Sequence, residues 1–127
     1  GCRPQPERAS VRDRSEVALI CQIEDPDGVV NHSEIAEVDG VDTLFIGRAD
    51  LAVSHGLSDF FAPEVAKMTR DILSATGAAT GLYCAPTEPL DAHRDAGGSF
   101  FVVGSEHTLM QLGGAALVED FKKRNAR

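Results

Sequence analysis

From residue 17 onward, short apolar runs alternate with longer segments of helical periodicity. The run "VALICQIE" (17–24) is almost continuously apolar, which predicts a parallel strand buried on both faces. In "GVVNHSEIAEVDG", Val30, Ile35 and Val38 recur at loosely helical spacing, with Gly40 placed to stop the helix. "VDTLFIG" (41–47) predicts a second strand, followed by a polar loop containing "ADLAVSHGLSDFFAP". Val65, Met68, Ile72 and Leu73 form one stripe of a helix that has Pro63 near its start and Gly77 at its end. "ATGLYCA" (79–85) predicts a third strand and "EPLDAHRDAGG" (88–98) a short helix ended by glycines. A fourth strand, "FFVVGSE" (100–106), leads into a long helix from about Thr108 to Lys123 that carries Leu109, Leu112, Ala116 and Leu117.

Strand and helix alternating four times imply α/β architecture with a parallel sheet and right-handed crossovers. Two arrangements fit: an open doubly wound sheet of four strands, or half of a (β/α)8 barrel. A complete barrel takes ~250 residues, so this chain of 127 residues holds four βα units, 17–127, behind a polar lead, 1–16. It reads as one partial domain.

Composition narrows the partners. A formal charge of -8 and 43% hydrophobic residues describe a globular chain that disfavours sequence-independent contact with nucleic acid phosphates. The one basic cluster, "KKRNAR", suits a helix C-terminus. No run approaches the ~18 apolar residues of a membrane span, and the lead lacks the apolar core of a signal peptide, so a cytoplasmic setting is expected. Cys2, Cys21 and Cys84 are odd in number and lack metal-type spacing. Small apolar fillers are the simplest reading of them.

Two acids stand out against this background. Glu24 closes the first apolar run, and Asp50 sits three residues beyond the second, in the turn "IGRAD". The C-terminal ends of parallel strands open onto one face, where binding groups gather. If the two strands are neighbours, ~4.8 Å apart, both carboxylates come within reach of one cation. A hard divalent ion such as Mg2+ or Mn2+ would relieve their repulsion. Each acid is equally suited to capping the helix after its strand or lying in solvent.

"QIED" closing a strand, then "EIAEVDGVDTLFIGRADLAVSHG" and later "FFVVGSEHTLM", resembles the second half of the HpcH/HpaI aldolases, relatives of the citrate lyase beta subunit. The resemblance runs from about Val17 to Met110. It implies a barrel of the phosphoenolpyruvate/pyruvate superfamily and a metal-dependent lyase, a class II aldolase making or breaking C–C bonds to pyruvate. A divalent metal cation there chelates the oxygens of pyruvate or its enolate. By this resemblance Glu24 and Asp50 match the metal ligands, Gln22 a substrate-contacting position, and Ala49 the place where a backbone N–H meets the substrate carboxylate. The substrate class is a small keto acid, pyruvate- or oxaloacetate-like. The family's catalytic arginine and histidine lie in the other half of the barrel; Arg3, Arg8, Arg12 and Arg14 match neither, and His32, His55, His93 and His107 are expected to be surface histidines.

The chain departs from the family at Arg48, commonly proline, and Ala52, commonly serine. Arg48 is expected to face solvent or pair with Asp42. A half barrel has two raw edges and an apolar inner face, so a partner is expected: an N-terminal half barrel, a second chain, or a second copy. Family members are commonly homo-oligomers, and the stripe Leu109 to Leu117 serves either a neighbouring subunit or an intrachain cover. Competing readings are a citryl- or malyl-CoA lyase relative, a non-catalytic metal- or carboxylate-binding partner chain, and a flavodoxin-like binding domain.

Overall fold

A computed structural model describes residues 17–126. The lead and its four arginines lie outside the described residues. The chain runs β1 (Ile20–Ile23), α1 (Pro26–Ala36), β2 (Thr43–Ile46), α2 (Arg48–Ser54), α3 (Pro63–Leu73), β3 (Ala79–Cys84), α4 (Asp91–Asp95), β4 (Phe100–Val103) and α5 (Glu106–Asn125). All strand pairs are parallel, and the sheet order is β1-β2-β3-β4.

That order decides between the two predicted architectures. A doubly wound sheet reverses its strand order at a switch point and carries helices on both faces, whereas a barrel adds each strand beside the last and keeps its helices outside. Here there is no reversal. One face of the sheet, through Ile23, Leu44, Ile46, Leu82 and Cys84, joins Ala36 of α1, Leu51 and Ala52 of α2, and Val65, Ile72 and Leu73 of α3 in a single buried core. By strand alternation, Gln22, Phe45, Tyr83, Phe100 and Val102 lie on the other face. No helix among the described residues covers that face, and Tyr83 and Val102 are exposed. The fold is the four-unit arc of a barrel, and the flavodoxin-like topology is excluded.

Local chemistry sets the helix ends. Asp25 caps α1 by accepting the Gly28 N–H at 2.7 Å, and Pro26 fills the first turn where no donor is needed. Ser105 caps α5 in the same way. Gly81 sits between Phe45 and Phe100 in register, and their rings meet edge-on at 5.9 Å. A Cβ at Gly81 would overlap the backbone of Phe100, so only glycine lets the third and fourth strands pair there.

Three expectations are corrected. The first strand is not buried on both faces: Ile20 is exposed, because β1 is an edge strand with helices on one side only. The short helix spans Asp91–Asp95 rather than 88–98, because Glu88 is bound in the loop before it. The terminal helix is longer than its stripe, and none of its residues is buried; Leu109, Met110, Leu117 and Phe121 are all exposed. Its apolar stripe therefore covers nothing among the described residues. No helix among them is long and apolar enough to cross a membrane.

Candidate functional site

The C-terminal ends of β1 and β2 carry the first group of site residues. Residues at alternate positions of a strand share a face, so Gln22 and Glu24 both point to the uncovered side, and the Gln22 amide donates to a Glu24 carboxylate oxygen. Gly47 follows β2 directly. A Cβ on it would stand 2.9 Å from Gln22 Nε2 and 3.0 Å from Glu24 Oε2, so its bare Cα is the floor against which this pair rests. Helix α2 starts at the next residue and puts Ala49 and Asp50 in its first turn. The first intrahelical bond is Leu51 N–H to Gly47 C=O, 2.8 Å, which leaves the Ala49 N–H without a partner inside the helix.

Gln22, Ala49 and Asp50 line one cavity of about 370 Å³ together with Phe45, Phe60 and Tyr83. Glu24 stands beside it, in contact with Gln22. Neither Glu24 nor Asp50 forms an ion pair with any cation among the described residues. Glu24 over the Gly47 cradle and Asp50 on the cavity lining are hard oxygen donors without a counter-charge, the donor type a hard divalent cation takes while keeping positions for other oxygens. Gly47→Ala is expected to push the Gln22–Glu24 pair off its floor and weaken Mn2+ binding by about fivefold, about 1 kcal/mol, as measured by titration calorimetry. Its φ of -86° is open to alanine, so an unchanged affinity would show that the cradle has no part in ion binding.

Arg48 overturns its expectation. It neither faces solvent nor pairs with Asp42, whose carboxylate accepts the Leu19 N–H instead. Its guanidinium grips Glu88 with two parallel bonds, Nη1–Oε1 at 2.7 Å and Nη2–Oε2 at 2.8 Å, and donates to the Tyr83 carbonyl at 2.8 Å. The side chains of Arg48 and Glu88 are only 10% and 14% exposed. The Phe60 and Phe61 rings lie 5.8 and 5.9 Å from the guanidinium carbon, within cation–π range. His93, expected to be a surface residue, is half-buried and donates Nε2–H to Glu88 Oε1 at 2.9 Å. His32 and His55 do bond locally to backbone carbonyls of their own helices, and His107 is exposed.

The Arg48 hydrogen bonds hold the Glu88 carboxyl at about 2, against the opposing pull of burial and with help from His93. Burial, followed by the Glu88 charge, pushes the Cys84 thiol up. Cys84, Glu88 and His93 bring three ligand-type atoms within 4.8 Å of one another. The cluster is nonetheless a poor cation trap, because Arg48 already supplies the charge Glu88 would offer and the thiol is held protonated. It acts as a brace between the β2–α2 turn and the β3–α4 loop. Sequence reading missed Glu88 and His93; the one local sign was an acid directly after "CAPT" at the end of a strand, where groups of a barrel's open face collect.

Comparison with known proteins agrees with the fold. The family model described as HpcH/HpaI aldolase/citrate lyase matches residues 2–111. A hydroxypyruvate/pyruvate aldolase of Delftia acidovorans is 35% identical over 115 residues, 87% of this chain and 43% of that protein. A 5-keto-4-deoxy-D-glucarate aldolase of Escherichia fergusonii is 35% identical over 119 residues, 89% of this chain and 46% of that one. The crystal structure of an HpcH/HpaI aldolase/citrate lyase family protein from Burkholderia cenocepacia J2315 superposes with a TM-score of 0.77 at 31% identity, covering 85% of this chain and 44% of its own. The chain thus spans less than half the length of the curated relatives it matches.

Proposed function

The chain belongs to the HpcH/HpaI aldolase/citrate lyase family, and from that premise we propose that it supplies the metal-binding half of a class II pyruvate aldolase. The observation that carries the reading is the pair of uncompensated carboxylates, Glu24 and Asp50, at the ends of adjacent parallel strands. Glu24 and Asp50 would hold Mg2+ or Mn2+. When bound, such an ion supplies Lewis-acid stabilisation of the negative charge that develops on the keto oxygen of a pyruvate- or oxaloacetate-like substrate as the C–C bond breaks.

The chain's own residues then bind and orient. The Ala49 N–H, free at the head of α2, donates to the substrate carboxylate. The Gln22 amide, tied to Glu24, fixes that ligand's rotamer and presents its second N–H to the cavity. Phe45, Phe60 and Tyr83 exclude water from the wall. The proton-transfer group and the arginine for the keto oxygen have no counterpart in residues 17–126, so the cycle requires the other four βα units, from an N-terminal half barrel or a second chain. The uncovered sheet face and the exposed stripe of α5 support assembly with further chains, including copies of this one.

The deciding assay measures Mn2+-dependent oxaloacetate decarboxylation and aldol cleavage by the chain alone and after mixing with a polypeptide carrying four complementary βα units. Activity in the mixture is expected. Metal binding with no activity in either case would leave a non-catalytic metal- and carboxylate-binding partner chain.

A further inference from the structure

Behind the Arg48–Glu88 bridge lies a second cavity, of about 260 Å³, on the helix side of the barrel wall. Helix α3 supplies Thr69, Arg70 and Leu73 to it, and α4 supplies Ala92 and His93. Arg48, Glu88, Phe60 and Phe61 line this space as well as the keto-acid cavity, so the two stand on opposite sides of one shared wall.

Two independent features of this space call for a ligand. Thr69 is only 3% exposed, and its hydroxyl has no hydrogen-bond partner. A buried hydroxyl left unpaired costs ~1–3 kcal/mol, which a ligand acceptor would recover. The second feature is charge. Arg48 and Glu88 neutralise each other, and Glu88 is the one carboxylate on the lining. Arg70 faces the cavity and forms no ion pair among the described residues. One unspent positive charge and one unspent hydroxyl donor thus share a cavity whose other walls are Phe60, Phe61, Leu73 and alanines, with the mutually bonded Arg48, Glu88 and His93.

We propose that the cavity between α3 and the β3–α4 loop binds a small monocarboxylate with an apolar or aromatic body, its carboxylate on Arg70 and the Thr69 hydroxyl and its body against Phe60, Phe61 and Leu73. A cation is disfavoured there by Arg70, unpaired among the described residues. A dianion such as phosphate would find one free charge where it needs two and would leave the apolar walls uncovered. The site does not depend on the proposed aldolase reading, because none of Glu24, Asp50, Gln22 and Ala49 lines it.

The test is a titration of the full chain with benzoate, followed by two-dimensional NMR of the backbone amides, with benzyl alcohol and inorganic phosphate as controls. Benzoate is expected to give saturable shifts at Thr69, Arg70 and His93. Arg70→Gln is expected to weaken it about tenfold, and Thr69→Val, which keeps the side-chain shape, about threefold, with benzyl alcohol and phosphate bound more weakly than benzoate. Arg70 is exposed, so the glutamine variant leaves the core intact. The proposal is overturned if benzoate gives no saturable shift at these residues, if Arg70→Gln leaves its affinity unchanged, or if the shifts fall at Gln22, Ala49 and Asp50 instead. Failure of the aldolase assay with benzoate binding intact would refute only the aldolase reading.

Discussion

Glu24→Gln and Asp50→Asn are each expected to weaken Mn2+ binding by about a hundredfold or more, about 2.7 kcal/mol. Both changes keep the side-chain volume and remove one formal charge, so the loss reports the electrostatic grip on the ion. Glu24 is half-buried and Asp50 exposed, and neither is paired with a cation, so the fold without metal should change by no more than about 0.5 kcal/mol. Calorimetric titration with Mn2+, alongside urea unfolding in chelator, separates the two effects. An affinity that survives both substitutions would remove the metal site, and the lyase reading with it.

The second large effect concerns stability. Glu88→Gln should cost about 3–5 kcal/mol, because it leaves the nearly buried Arg48 guanidinium facing an uncharged group. Arg48→Met should cost a similar amount by leaving the carboxylate without its counter-charge, held only by His93 and the Ala85 N–H. The double replacement Arg48→Met with Glu88→Leu should be much less harmful than the sum, since an apolar pair of similar volume removes both stranded charges at once.

Acidity provides an independent check on the same bridge. The Glu88 carboxyl is depressed from 4.5 to about 2, so its contribution is complete above pH 4.5 and is lost as pH falls from there through 2. At 1.36 kcal/mol per unit the loss is at most roughly 3 kcal/mol, and solvent screening of the bridge brings it to roughly 1–2 kcal/mol. The wild-type chain should therefore lose stability across that window by roughly that much more than the Glu88→Gln variant. Equal acid profiles for the two would show that the bridge does not hold the fold.

The alternation of apolar runs with helical stripes was enough to read four parallel βα units, since strand and helix periodicities are local properties of ten or so residues. It also placed Glu24 and Asp50 at strand ends, because the position of an acid relative to an apolar run is written directly in the chain. The polar loop expected after β2 instead forms α2 (Arg48–Ser54), whose seven residues are too few to show a helical stripe in the sequence. The outcome for β1 shows the limit of that reading: a run of apolar residues fits a strand covered on both faces or on one, and only the neighbours decide.

What the tertiary structure alone decided is the sheet order, the side on which the helices lie, and the partner of Arg48. Asp42 is six residues from Arg48 and Glu88 forty, yet the bidentate bond goes to Glu88 because β2 and β3 pair in parallel and bring the loops at their C-terminal ends together. The same pairing turned His93 from a surface residue into part of a buried brace and joined Thr69 and Arg70 to the rear of the shared wall. Local sequence fixes which residues can be apolar, capped or strand-ending. Which charges meet depends on distances between segments far apart in the chain, and those exist only once the sheet has formed.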